Sequence, residues 1–252
     1  MAKLLFAGES WSTIGLQLKG FALYTTGEYA EGATAMLAAL EAAGHEVTYV
    51  RNHEVPTRFP ADEAALAAYD AFVLSDVAAD TFLLHPDTLQ RSIVRPNPIA
   101  AMAKLVAAGK GLLMVGGYMS FSGFQGHACW PNTALADVLP VHMQPGDDRI
   151  ERPEGVTPSV VGEHPVLAGI EGPWPHFLGY QRLGAKGAAA VPLRVGNDPF
   201  LVLAKHGAGR VAAFASDCSP HWGTPEFMAW SHYGRFWGQL TSWLAGEAPK
   251  AA

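Results

Sequence analysis

Four apolar runs constrain this chain more tightly than any other feature. Residues 3–7, 71–74, 112–115 and 210–215 are of strand length and nearly free of polar alternation. That is the pattern of strands buried on both faces, as in a parallel sheet covered by helices. Between the runs the spacing turns helical. Tyr29, Ala33, Met36, Leu37 and Leu40 recur along one face, with Gly44 placed as a C-terminal cap. Residues 62–69 read as an Ala-rich helix. Asn97-Pro98 supplies a cap and a first-turn proline for a helix that carries Ile99, Met102, Leu105 and Val106 and closes at Gly109. Glu46–Val50 adds a further strand, and the alternation predicts an α/β sheet.

Between 140 and 209 the pattern changes. Pro and Gly become frequent, and short β-like runs at 157–161, 177–183, 190–195 and 200–203 predict an antiparallel insertion at one edge of the sheet. Phe227, Trp230, Phe236, Trp237, Leu240 and Leu244 then mark a C-terminal helix. The chain reads as one domain over 1–246 with a disordered tail at 247–252. With 49% hydrophobic residues, 252 residues bury a core without disulfides. Two cysteines and an apolar N-terminal run that reaches Glu9 too soon for a signal peptide predict a reducing, cytoplasmic location. No apolar run approaches the roughly 20 residues that span a bilayer. A net charge of −6 without a Lys/Arg cluster argues against nucleic acid or an anionic membrane as partner. A small molecule is the expected ligand.

Ligands of open parallel sheets bind beyond the carboxyl ends of the strands. Those ends here read Gly8-Glu9-Ser10-Trp11, Ser75-Asp76, Gly116-Gly117-Tyr118-Met119-Ser120 and Ser216-Asp217-Cys218-Ser219-Pro220-His221-Trp222. Glu9, Asp76, Ser120, Asp217 and His221 are therefore expected around one crevice, closed by a loop over 8–27. Asp76 and Asp217 also suit the capping of the turns that follow them, and His221 beside Trp222 also suits a packed histidine. The turn after 112–115 has the strand, small-x-x-x-small sequence of a nucleophile elbow. Its middle residue is Tyr118, a phenol with an ordinary pKa near 10 and a poor nucleophile at neutral pH. Gly116 and Gly117 would bring backbone N–H groups to a ligand. Cys218, in an apolar context, reads more readily as an inert thiol than as a nucleophile. Asp217, Cys218 and His221 lack the spacing of zinc motifs, so neither a metal nor another cofactor is expected.

The same strand-end motifs, with Lys19-Gly20-Phe21, Tyr29-Ala30-Glu31-Gly32, Thr81-Phe82-Leu83-Leu84 and Phe121-Ser122-Gly123, resemble a glutamine amidotransferase-like family of bacterial cytoplasmic proteins over nearly the whole chain. A weaker similarity to ThuA-like proteins lies in His164-Pro165-Val166-Leu167-Ala168-Gly169-Ile170. The resemblance implies the flavodoxin-like, doubly wound fold of class I glutamine amidotransferases. Activity does not follow from fold. The superfamily's elbow cysteine is replaced by Tyr118, and His221 is followed by Trp222 and Gly223 rather than by a His-x-Glu pattern. The expected function is thus a small-molecule enzyme without ordinary glutaminase activity, a hydrolase or isomerase for a polar amide or carbohydrate-derived metabolite. Its catalytic candidates are His221, Glu9, Asp217, Tyr118 and Cys218. Ser10, Trp11, Asp76, Gly116, Gly117, Ser120 and Trp222 are the candidate ligand contacts. The alternative is a non-catalytic binding or assembly protein. Large aromatics in the insertion, Trp174 above all, predict a homo-oligomer through that edge.

Overall fold

The computed structural model describes residues 1–247. β1 (Lys3–Gly8) leads into a long hairpin, β2 (Ser10–Lys19) and β3 (Ala22–Glu31), before the sheet resumes with β4 (Glu46–Val50), β5 (Ala71–Ser75) and β6 (Gly111–Val115). The insertion contributes β7 (Val141–Met143), β8 (Arg149–Val156), β9 (Ser159–Val160), β10 (Phe177–Gln181), β11 (Leu183–Ala185), β12 (Ala190–Val195) and β13 (Asp198–His206); β14 (Gly209–Phe214) follows.

The central sheet has the order β4-β1-β5-β6-β14-β13-β12-β9. β4, β1, β5, β6 and β14 are parallel, and taken in chain order they stand 2-1-3-4-5, the flavodoxin-like arrangement. From β1 the chain first steps outward to β4 and then back across to β5. Right-handed crossovers in opposite directions put their helices on opposite faces, Thr34–Ala42 on one and Pro98–Ala107 on the other. The gap this opens beyond the ends of β1 and β5 is where such sheets take ligands.

The apolar runs form these strands because both faces are covered: β5 and β6 are buried at every residue. Phe214, at the end of β14, packs among the rings of Phe177, Phe200, Phe227, Phe236 and Trp237, with centroids 5.0–6.3 Å away. The Asn97 side chain accepts the Ala100 N–H at 3.0 Å, a cap worth about 1 kcal/mol.

Several expectations need correction. Residues 8–27 are not a loop: they enter the β2–β3 hairpin, whose ten paired positions run from Ser10↔Glu31 to Lys19↔Ala22. Tyr29 consequently lies in a strand, and the first helix begins only at Thr34. The 62–69 helix shrinks to Glu63–Leu66, and the C-terminal pattern divides into Pro225–Met228 and Tyr233–Leu244. The insertion does add β13, β12 and β9 as an antiparallel edge. It also builds two small separate sheets, β8 with β10 and β7 with β11. Trp174 is buried against Trp230 and Phe236, with centroids at 4.7 and 5.0 Å. It folds back onto its own core, so Trp174 itself offers no surface to a subunit contact. Of the expected tail, Glu247 pairs with the Met1 ammonium; 248–252 lie outside the described residues. Among the described residues no helix is long and apolar enough to cross a membrane.

Candidate active site

The ends of β1, β5, β6 and β14 bring the predicted residues together in one cluster. Its backbone is contorted. Glu9 has φ 50°, Asp76 φ 44°, Gly117 φ 133° and His221 φ 145°. A non-glycine residue held in this region costs on the order of 1–3 kcal/mol and persists only where its surroundings enforce it, characteristically at functional sites. Gly117 is there for space: a Cβ would sit 2.8 Å from Oδ1 of both Asp76 and Asp217.

Glu9 is buried, and its carboxyl accepts hydrogen bonds from the hydroxyls of Ser75 and Ser219. Burial, then repulsion from Asp217 and Asp76, pushes its pKa up to about 8. Asp76 accepts the Met119 N–H at 2.7 Å and gives its own N–H to Ser120 Oγ at 3.0 Å. Burial and Asp217 raise it to about 6. Asp217 Oδ2 holds His221 Nδ1 at 2.7 Å and the Trp222 N–H at 3.0 Å, while its buried Oδ1 has no hydrogen-bond partner among the described residues. For His221, burial pulls the pKa down, but the bond to Asp217 and the negative charges of Asp217, Glu151 and Asp76 outweigh it, and the net shift is upward. The His221 side chain is 38% exposed, and Nε2 makes no hydrogen bond to any described residue.

Cys218 is fully buried, with Sγ 3.6 Å from both Glu9 Oε2 and Ser75 Oγ. Burial and the Glu9 charge drive its thiol pKa well above the ordinary value, the opposite of what thiolate chemistry needs.

Tyr118 does not occupy an elbow. No α-helix directly follows β6; the next regular segment is the 3-10 turn Phe124–Gly126. Met119 donates its N–H to Asp76 and Ser120 Oγ accepts the Asp76 N–H, and this pair of bonds ties the segment back across the end of β5. The strand, strained residue, helix sequence belongs instead to Ser75-Asp76 and the helix Ala79–Leu83. Tyr118 forms part of the rim, its ring edge-on to His221 at 4.2 Å, its hydroxyl on Glu151 at 2.9 Å and the Arg149 guanidinium 4.4 Å from its centroid.

The Gly116 and Gly117 N–H groups are not free for a ligand. Gly116 gives its N–H to the carbonyls of Phe214 and Ser216, and Gly117 directs its own toward Gln181 Oε1 at 3.4 Å. Ser10 is buried and accepts the Asn52 N–H at 2.9 Å, so its hydroxyl fixes the base of the hairpin. Trp11 is partly exposed at that base. Trp222 is buried and donates Nε1–H to Glu151 at 2.9 Å.

Sequence reasoning missed Glu151, which joins Tyr118 to Trp222, together with Gln181, Asn52 and the hydroxyls of Ser75 and Ser219. Glu151 and Gln181 arrive from the β8–β10 sheet, far along the chain, with no motif to signal them. Asn52 Nδ2 reaches the Asp76 carbonyl at 3.0 Å. A cavity of about 650 Å³ lies elsewhere, between the helices Thr34–Ala42 and Tyr233–Leu244, and holds none of these residues.

A family model described as "Putative glutamine amidotransferase" matches residues 3–246. Two solved structures, the cytoplasmic proteins STM3548 from Salmonella typhimurium and STM1381 from Salmonella typhimurium LT2, are similar at 42% and 43% identity. Both have a TM-score of 0.92 and cover 96% of this chain, and 98% and 99% of their own. A ThuA-like protein from Parabacteroides merdae shares the fold at 12% identity and TM-score 0.51, over 100% of this chain and 92% of its own. No curated protein matches the chain.

Proposed function

The chain belongs to the glutamine amidotransferase-like family, and on that premise we propose that it is a cytoplasmic small-molecule enzyme working by acid–base proton transfer at His221 rather than through a thiol nucleophile. The observation that carries this reading is the Asp217–His221 pair at 2.7 Å. A carboxylate on Nδ1 fixes the tautomer with its proton there, leaving Nε2 as the base, and stabilises the imidazolium once that base has taken a proton. The bare Oδ1 of Asp217 beside Gly117 offers an acceptor for a substrate O–H or N–H. Glu9, neutral at physiological pH, holds a proton that the cluster can share, and Tyr118 covers one side of the imidazole. The substrate class is a polar amide or a carbohydrate-derived metabolite, with isomerisation or hydrolysis as the reaction. Neither a cofactor, nucleic acid nor a membrane enters the proposal.

Two experiments test it. Incubation with a library of such amides, sugars and sugar acids in deuterated buffer, followed by proton NMR, yields turnover or solvent-deuterium exchange in at least one compound. Compounds that bind without either would favour the non-catalytic alternative. Glutamine releases no ammonia above background, because burial holds the Cys218 thiol protonated at neutral pH, and Cys218→Ser leaves that result unchanged. Ammonia release that vanishes in Cys218→Ser would overturn the acid–base reading.

A further inference from the structure

The β2–β3 hairpin is tied to the body only at its base. Asn52 holds Ser10, Arg51 pairs with Glu31, and Tyr29 meets His53 edge-on at 5.3 Å. Beyond that point, from Ser12 to Tyr29, every residue except Gly15 is exposed. Paired residues in an antiparallel ladder share a face. The register therefore sets Ile14, Leu16, Leu18, Leu23 and Tyr29 on one side, and Thr13, Gln17, Lys19, Tyr24 and Glu28 on the other. Ile14, Leu16, Leu18 and Leu23, with Phe21 at the tip, are 63–111% exposed. A lone two-stranded ribbon is marginal in water, and a contiguous apolar face of this kind marks an interaction site.

We propose that this hairpin is a subunit arm, exchanged with a second copy of this chain about a two-fold axis. Its area favours this occupant. Ten residues at ~3.4 Å give an arm about 34 Å long, and two strands ~4.8 Å apart a ribbon about 10 Å wide, so one face offers on the order of 340 Å². One arm alone falls short of the ~600–1,000 Å² per partner of a stable interface. In a reciprocal exchange each copy both lends an arm and receives one, which doubles the contribution to about 700 Å². The receiving surface is present as well. Apart from the arm and Met1, the exposed large apolar side chains of the described residues are Leu84, Leu89, Ile93 and Val94, on the segment that follows β5, and Val160 and Val161 at the β9 edge; the first four make the larger group and the receiving surface. A second copy thus carries both halves of the contact.

Light scattering coupled to size exclusion tests this on the full chain. The expected mass is twice 26.8 kDa. It falls to 26.8 kDa in the triple variant Ile14→Ser, Leu16→Ser, Leu18→Ser, with unchanged circular dichroism. A second variant guards against misfolding of the first: an Asn-Gly turn replaces residues 12–29, joining the paired residues Trp11 and Ala30 in a two-residue hairpin, and it is monomeric too. A monomeric wild-type chain overturns the proposal and leaves the arm to a different protein or a lipid surface. A dimer that survives in both variants overturns it as well, since the interface then lies elsewhere.

Discussion

Changing His221 to asparagine lowers the turnover of the substrate found in the deuterated screen by about 10²–10⁴-fold, the usual contribution of a positioned acid–base group. Asparagine offers an N–H to Asp217 but has no lone pair of comparable basicity at the position of Nε2. The loss should therefore fall on kcat. Thermal stability should change little, because the imidazole is 38% exposed and its one side-chain bond is to Asp217. The pH profile carries a second signature. Asp217 raises the His221 pKa against the pull of burial, so the acidic limb of kcat/KM in the wild type, where protonation removes the base, has its midpoint above the ordinary histidine pKa near 6.5, and in His221→Asn that limb disappears. Equal turnover in the variant, or a loss that tracks a collapse of Tm, would remove His221 from the mechanism.

Stability falls as pH rises from about 5 to 8, and Glu9→Gln removes much of that fall. The sign follows from proton binding. A carboxyl raised from 4.5 to about 8 in the folded state is protonated when folded and ionised when unfolded across that window. The folded protein then binds more protons, and stability declines as pH rises until the folded pKa is passed. At 1.36 kcal/mol per pKa unit, Glu9 alone contributes on the order of a few kcal/mol. That corresponds to roughly 5–10 °C in Tm for a chain of this size. Asp76 and Asp148, both raised to about 6 chiefly by burial, and His221, also raised, act in the same direction, so some slope remains in the variant. Asp147, Glu31 and Glu54, held low by arginine or backbone hydrogen bonds, have the opposite sign and lose their contribution only in more acidic solution. Calorimetry at several pH values should show Glu9→Gln gaining on the wild type toward pH 8. Parallel curves for the two proteins would mean that Glu9 is ionised at neutral pH.

The parts of this fold that sequence made legible are those where burial dictates composition. β1, β5, β6 and β14 had to be apolar on both faces, and the strand-end rule then placed Glu9, Asp76, Asp217 and His221 together. What escaped obeyed other physics. The hairpin has no buried face within its own chain, so its Ile14, Leu16, Leu18 alternation had no core to point to and read as loop. Glycine spacing alone points to an elbow at Tyr118; the hydrogen bonds of Met119 and Ser120 with Asp76 that hold the segment away are long-range contacts no local pattern encodes. The same holds for the Gly116 and Gly117 N–H groups, whose acceptors are Phe214, Ser216 and Gln181.

The most direct test of the cluster is a carbon-13 NMR titration of the protein labelled at its glutamate carboxyls, with the Glu9 resonance assigned by its absence in Glu9→Gln. A carboxyl enclosed by Ser75, Ser219 and Cys218 and repelled by Asp217 and Asp76 titrates with a midpoint of about 8, still protonated at neutral pH. A midpoint in the ordinary glutamate range near 4.3 would contradict the account, because Glu9 would then be ionised at neutral pH and hold no proton for the cluster.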